Sequence, residues 1–268
     1  NPSADGDAVP LGRLNDDDGA SLMGYLPAGT GAVASNVQAK LRESVSVDDF
    51  GASPLSSDNT TAIQSAIDYV GSVGGGDVLF LGAYKTNPLI IRHPNVRLIG
   101  DGKQSTLISL SNFTALHNPT VWIARSNCSV SGIAFTYDGW NSVNLASLKT
   151  TRPVGNSYYG CHIASGYTEL YTAANSGIFN TFRGVVLEVV DRPLIENVSI
   201  LGTAVHGMAF LNTTNATVKG NKVSEFKGTG IYGFIAPGAT VSGNALDTSG
   251  DDGVYFGCTD SHLNGVWT

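Results

Sequence analysis

The sequence has little charge: only 14% of its 268 residues are Asp, Glu, Lys or Arg. That scarcity, beside 42% hydrophobic residues, excludes a disordered chain, which needs the opposite balance. Cysteines are few, at three (Cys128, Cys161, Cys258), and too scattered for a disulfide framework or a zinc knuckle. They read as buried thiols. No apolar run approaches the roughly 18 residues of a membrane span, so membrane insertion is not expected. Positive charge is also in deficit: the net charge of -7 repels nucleic acid. The five histidines are far apart, and no metal or cofactor site is expected. N-x-S/T triplets such as "NVS" and "NTT" occur, but mean little without a secretory context.

What the chain does have is glycine, 33 residues of it, which suits many tight turns. Residues 1–31 are Pro/Gly-rich with an acidic run, Asp16, Asp17 and Asp18, and read as an extended linker. A short helix is expected over 32–44, with Val33, Val37 and Leu41 as a thin apolar stripe. A helix that short is marginal alone and needs something to pack against. A second helix follows in "SSDNTTAIQSAIDYVGSVGGGD": Asp58 or Asn59 caps it, Ile63, Ala66, Ile67 and Val70 form its buried face, and Gly74–Gly76 stop it. "GDGKQST" lacks phosphate-loop spacing and is a turn.

The strongest signal is a repeat. "GVVLEV" at 184, "GMAFLN" at 207, "GIYGFI" at 230 and "GVYFGC" at 253 recur every 23 residues. A second register, Ile195, Val218 and Val241, keeps the same step, as do Asn221 and Asn244. Short strands, no leucine ladder and one unit per 23 residues predict a mainly β fold, a right-handed parallel β-helix. In it equivalent strands stack about 4.8 Å apart and the asparagines hydrogen-bond turn to turn. Residues 45–116 would form the amino-terminal cap and first turns, and 117–268 the coil body. The segment 136–182 breaks the repeat. It carries 8 of the 23 aromatics, among them Trp140, Tyr158 and Tyr159, and reads as an insertion that either packs on the coil or stacks on sugar rings.

"GYLPAGTGAVASNVQAKLRESVSVDDFGAS" resembles the neck-to-body junction of bacteriophage tailspikes. "DNTTAIQSAIDYV", "GGGDVLFLGAYKTN" and "NVRLIGDGKQSTLI" resemble the cap and first turns of the pectate-lyase-like body of those spikes. The resemblance covers about 24–108. It implies a homotrimer in the virion, joined through Val33, Val37 and Leu41 and attached to a tail or baseplate protein by its amino-terminal region. It also implies binding, and usually cleavage, of host capsule or O-antigen at the bacterial surface. Such spikes carry more turns and a trimerisation region, so the chain is expected to be a fragment of a longer one.

Glycosidic hydrolysis uses two carboxyl groups about 5–9.5 Å apart. Adjacent coil turns supply such spacings. "DTSGDDG" offers Asp247, Asp251 and Asp252. The 23-residue step stacks Asp252 on Thr229 and His206, and Asp251 on Gly228 and Val205. Glu225 falls in the column of Thr248, next to Asp247. Glu225 with Asp247, or with Asp251, is the best pair, while His206, Tyr232 and Tyr255 are candidate sugar contacts. "SGDDG" also resembles the paired-Asp signature of polygalacturonase-like glycosidases, without their Asn-Thr-Asp element one turn earlier. Asp-Gly before a strand is equally ordinary turn chemistry. Lys222 and Lys227 would serve a lyase. A non-catalytic adhesive tail protein and a secreted pectinase-like enzyme are the alternatives.

Overall fold

The computed structural model describes residues 10–110, 120–137, 163–165, 190–203, 207–211, 213–226, 229–234, 236–249, 252–257 and 266–267. It divides into residues 1–45 and residues 46–268.

In the first unit, the part expected to be an extended linker holds local structure: a helical turn at Leu11–Leu14, a 3-10 turn at Gly19–Leu22, and an antiparallel pair between Gly24–Tyr25 and Ser35–Asn36. Arg13 pairs with Asp16 and Asp18, so two members of the acidic run fold back on a nearby cation. The helix expected over 32–44 spans only Val37–Leu41. The reason is Asn36, whose side-chain oxygen accepts the Ala39 N–H at 2.7 Å and fixes the helix start behind it. Val33 therefore stands outside the helix. It is 79% exposed and Leu41 66% exposed.

The second unit is a right-handed parallel β-helix. Three long parallel sheets run along the coil, each strand paired with its equivalent one turn away. A three-residue strand of the first sheet alternates with a longer strand of the second: Leu194–Glu196 then Ser199–Thr203, Thr217–Lys219 then Lys222–Phe226, Thr240–Ser242 then Ala245–Ser249. The third sheet adds Met208–Leu211, Ile231–Phe234 and Val254–Gly257. The register follows the 23-residue step: Ile195, Val218 and Val241 stack in the first sheet, and Met208, Ile231 and Val254 in the third. Met208 N–H donates to the Gly230 carbonyl and Ile231 N–H to that of Gly253, so these glycines recur in line with Gly207. Gly184 lies outside the described residues.

Two corners create this cross-section. Before five of the first-sheet strands stands one residue of left-handed backbone: Asn95, Asn127, Arg192, Asn215 and Gly238, with φ from 51° to 72°. After four of them stands another: Gly132, Asn197, Gly220 and Gly243, φ 52–64°. Asn and Gly tolerate that region best, and they fill all of these positions except that of Arg192. The residue after the bend is buried at Cys128, Ala216, Ile133 and Val198. The second corner also holds the asparagine ladder. Asn221, buried, accepts the Val198 N–H at 2.9 Å, and its amide donates to the Ile195 carbonyl at 3.0 Å and to Asn244 at 2.9 Å.

The interior is filled by in-line apolar residues: Leu98, Val130, Ile195 and Val218 from the first sheet, and Leu107, Phe135, Ile200 and Val223 from the second. In the third sheet Phe210, Gly233 and Phe256 stack in one column. A Cβ at Gly233 would come within 2.1 Å of the Phe256 ring, so small beneath large keeps the layer flat. The helix Thr60–Ser72 closes one end. Ile63, Ala66, Ile67 and Val70 are buried as expected, and Asp58 caps its first turn by accepting the Thr60 N–H. Gln64 extends from this helix to the strand Leu89–Ile91, accepting the Ile90 N–H at 2.9 Å and donating to the Ile90 carbonyl at 2.8 Å. That occupies a strand edge that would otherwise be open to pairing.

One expectation is corrected. Within the segment read as an insertion, Ile163–Ser165 is a regular third-sheet strand, paired with Val121–Ile123 on one side and Met208–Phe210 on the other. Ser129–Ser131 and Ala134–Tyr137 likewise pair with strands 65 residues later. Periodicity missed these pairings because register is set in space by backbone pairing, not by residue count. Trp140, Tyr158 and Tyr159 lie outside the described residues.

Two outcomes follow. Asn221→Ala leaves the Val198 N–H and Ile195 carbonyl facing a dry interior, and should lower unfolding free energy by about 2–4 kcal/mol in a denaturant titration. At "DGKQST", Asp101 Oδ1 accepts the backbone N–H groups of Lys103, Gln104 and Ser105, which holds its carboxyl well below the usual range. A folded-state pKa depressed in this way stabilises above the unfolded value, about 3.9, and that stability fades as pH falls below it. The Tm gap between the wild type and Asp101→Asn should therefore narrow as pH drops from about 4 to 2.

Candidate functional site

Alternation in the second sheet points Ile200 and Val223 inward and Leu201, Ser224 and Asp247 outward, in one column. Asp247 is exposed directly over Ser224, whose hydroxyl is shielded without a hydrogen-bond partner among the described residues.

Glu225 is the unusual residue. Ser224 pairs with Leu201 and Asp247, and Phe226 with Thr203 and Ser249. The ladder thus skips Glu225, opposite Gly202 on one side and Thr248 on the other. Its backbone is left-handed, φ 57°. Among the described residues, the five other non-glycines in that region stand at the two coil corners, and four of them are asparagine. Glu225 interrupts a strand instead. A long side chain there costs on the order of 1–2 kcal/mol relative to glycine. The bend takes Glu225, half-buried, out of the strand's alternation. The sequence held a signal for it: the turn before carries Gly202 at the equivalent position.

Asp252 is exposed and lies in the turn between Ala245–Ser249 and Val254–Gly257, where its carbonyl accepts the Gly230 N–H at 3.1 Å. Thr229 occupies the same place one turn earlier, where its carbonyl accepts the Gly207 N–H. The step from Thr229 to Asp252 derived from the sequence is thus present. Asp251 and His206 lie outside the described residues.

Tyr232 and Tyr255 are stacked neighbours on the outward side of the third sheet, ring centroids 5.3 Å apart and planes 9° from parallel. Stacking hides one face of Tyr232, which is only 4% exposed, and burial pushes its phenol up to about 12. It cannot serve as an open platform. Tyr255, 37% exposed, is the accessible ring. Asp191 is 3.0 Å from Arg192, and also accepts from Thr214 and Asn215, which holds its carboxyl below the usual range. Lys219 pairs with Glu196 across adjacent turns of the first sheet, as Arg97 does with Asp77.

Among the described residues, no helix is long and apolar enough to cross a membrane, and no group of His, Cys, Asp or Glu is arranged to hold a metal ion.

Comparison with known proteins agrees with this geometry. Residues 162–265 match the right handed beta helix region family. No curated protein sequence matches the chain. Among solved structures, an exopolygalacturonase of Thermotoga maritima superposes with a TM-score of 0.54 at 16% identity, covering 80% of this chain and 54% of that one. A tailspike protein of the E. coli bacteriophage HK620, in complex with a pentasaccharide, gives 0.53 at 14% identity, covering 89% and 43%. The A-module of a mannuronan C-5 epimerase of Azotobacter vinelandii gives 0.50 at 19%, covering 78% and 58%. The chain thus spans about half the length of each of these structures. At such identities the likeness concerns architecture: the chain has the right-handed β-helix fold that tailspikes and polygalacturonases share.

Proposed function

We propose that this chain is part of a phage tailspike that binds bacterial surface polysaccharide and cleaves it by glycosidic hydrolysis, with Glu225 and Asp247 as the carboxylate pair. The observation that carries the reading is the left-handed backbone of Glu225. A glutamate kept where Gly202 stands one turn earlier retains a strained conformation for the position of its carboxylate. Asp247 stands one turn on and one position aside, across strands about 4.8 Å apart, within the range that two-carboxylate hydrolysis uses. Asp251 and Asp252 form the second candidate pair, and Tyr255 offers an exposed ring for stacking on a sugar. His206, Tyr158, Tyr159 and Trp140 remain candidate sugar contacts.

The same reading makes the protein a trimer in the virion, attached to the tail through its amino-terminal region. Val33 and Leu41, exposed apolar residues in a segment with almost no buried side chain, are the contacts between chains. A non-catalytic adhesive role is the second reading. The fold favours neither, since hydrolase, spike and epimerase all use it.

Purified protein incubated with bacterial capsule and O-antigen preparations should release oligosaccharides. Glu225→Gln should slow release by about 10²–10⁴-fold. Glu225→Gly should do the same while leaving Tm unchanged or raised, because it relieves the backbone. Full cleavage by Glu225→Gly would remove Glu225 from the chemistry, and retention of polysaccharide without release would establish the adhesive reading. In light scattering the wild type should weigh three chains of 27.9 kDa, and Val33→Asp with Leu41→Asp should lower that mass.

A further inference from the structure

The first unit, residues 1–45, holds its local structure without an interior. Between residues 10 and 45 only Gly19 and Val45 are buried. Leu11, Leu22, Met23, Leu26, Val33 and Leu41 are each 41–79% exposed in the chain as a whole. The elements are nonetheless tied together. The Val37 N–H donates to the Met23 carbonyl at 2.9 Å, which joins the end of the 3-10 turn Gly19–Leu22 to the start of the helix Val37–Leu41. Lys40, paired with Glu43, lies 6.0 Å from the centroid of the Tyr25 ring.

Such local bonds do not offset the entropy of ordering the segment. A helix of five residues and a ribbon of two-residue strands are each marginal alone. A unit near or below about 40 residues is usually held by disulfides, a metal ion or association with other chains. Residues 1–45 contain no cysteine and no histidine, which removes disulfides and the Cys and His metal ligands. Asp16 and Asp18 are bound to Arg13, and Glu43 to Lys40. Association is what remains.

The remaining charges identify the partner. Asp17 and Arg42 are both exposed and have no partner among the described residues, one anion and one cation. A partner surface of one sign would match one of them and repel the other, whereas a second copy of the segment matches both. The anion of one chain meeting the cation of the next makes a head-to-tail contact, the kind that closes into a ring.

We infer that residues 10–45 fold only on assembly: their exposed apolar side chains pack against the same segment of neighbouring chains, and Asp17 of one chain pairs with Arg42 of the next. This rests on the trimer reading above and adds that a single chain leaves the segment unfolded. The coil carries its own interior and stays folded in either state.

The full chain is diluted through its dissociation while light scattering reads its mass and mass spectrometry its hydrogen–deuterium exchange. Amides of residues 10–45 should exchange about tenfold or more faster in the single chain than in the assembly, while those of the coil stay protected. Arg42→Asp should raise the concentration of half-assembly about tenfold. Adding Asp17→Arg to it should restore both mass and protection, a recovery that damage to the short helix would not show. Protection of residues 10–45 that persists in the single chain overturns this inference and leaves the trimer reading intact. So does an assembly indifferent to Arg42→Asp, or one that the second reversal fails to restore. A wild type that weighs one chain at every concentration overturns the trimer reading, and this inference with it.

Discussion

Everything in this molecule depends on backbone pairing between successive turns. A strand of three to five residues cannot hold itself straight, and one turn cannot bury its apolar side chains. Stacked on its neighbours, each strand satisfies its N–H and C=O groups above and below and encloses a continuous interior. The helix Thr60–Ser72 and the side-chain amide of Gln64 then finish one end, where the ladder would stop with its groups open. The corners are what allow the coil to close so tightly. A left-handed residue on either side of a three-residue strand bends the chain twice within six positions, and asparagine or glycine does so at low cost.

How much of this was legible in the sequence follows from the same physics. The repeat from 207 to 257 could be read because its connections are of constant length, so spatial register and residue number advance together. The buried face of Thr60–Ser72 could be read because helical spacing is local. Ile163–Ser165 could not, since its partners lie 42 and 45 residues away along the chain and only pairing reveals them. The helix behind Asn36 was overextended for a different reason: a weak apolar stripe invites it to start at Ala32, and only the cap bond shows where it begins.

For the site, the columns were legible and the conformations were not. Stacking of Asp252 over Thr229, and of Glu225 beside Asp247, follows from the step of 23. That Glu225 bends the strand, or that Tyr255 closes one face of Tyr232, depends on torsions and ring orientation that no spacing encodes. The two facts pull the candidate list in opposite directions. Glu225 gains weight because its geometry is costly; Tyr232 loses it because its neighbour already occupies its surface.

The corner geometry also settles the meaning of a motif that sequence scanning would assign elsewhere. Asn127-Cys128-Ser129, Asn197-Val198-Ser199 and Asn215-Ala216-Thr217 each match the triplet associated with sugar attachment to asparagine. In each the asparagine makes the bend, the middle residue drops into the interior, and the hydroxyl residue opens the next strand. The triplet is punctuation: it marks where the chain turns, and in a coil of this kind its recurrence records successive windings.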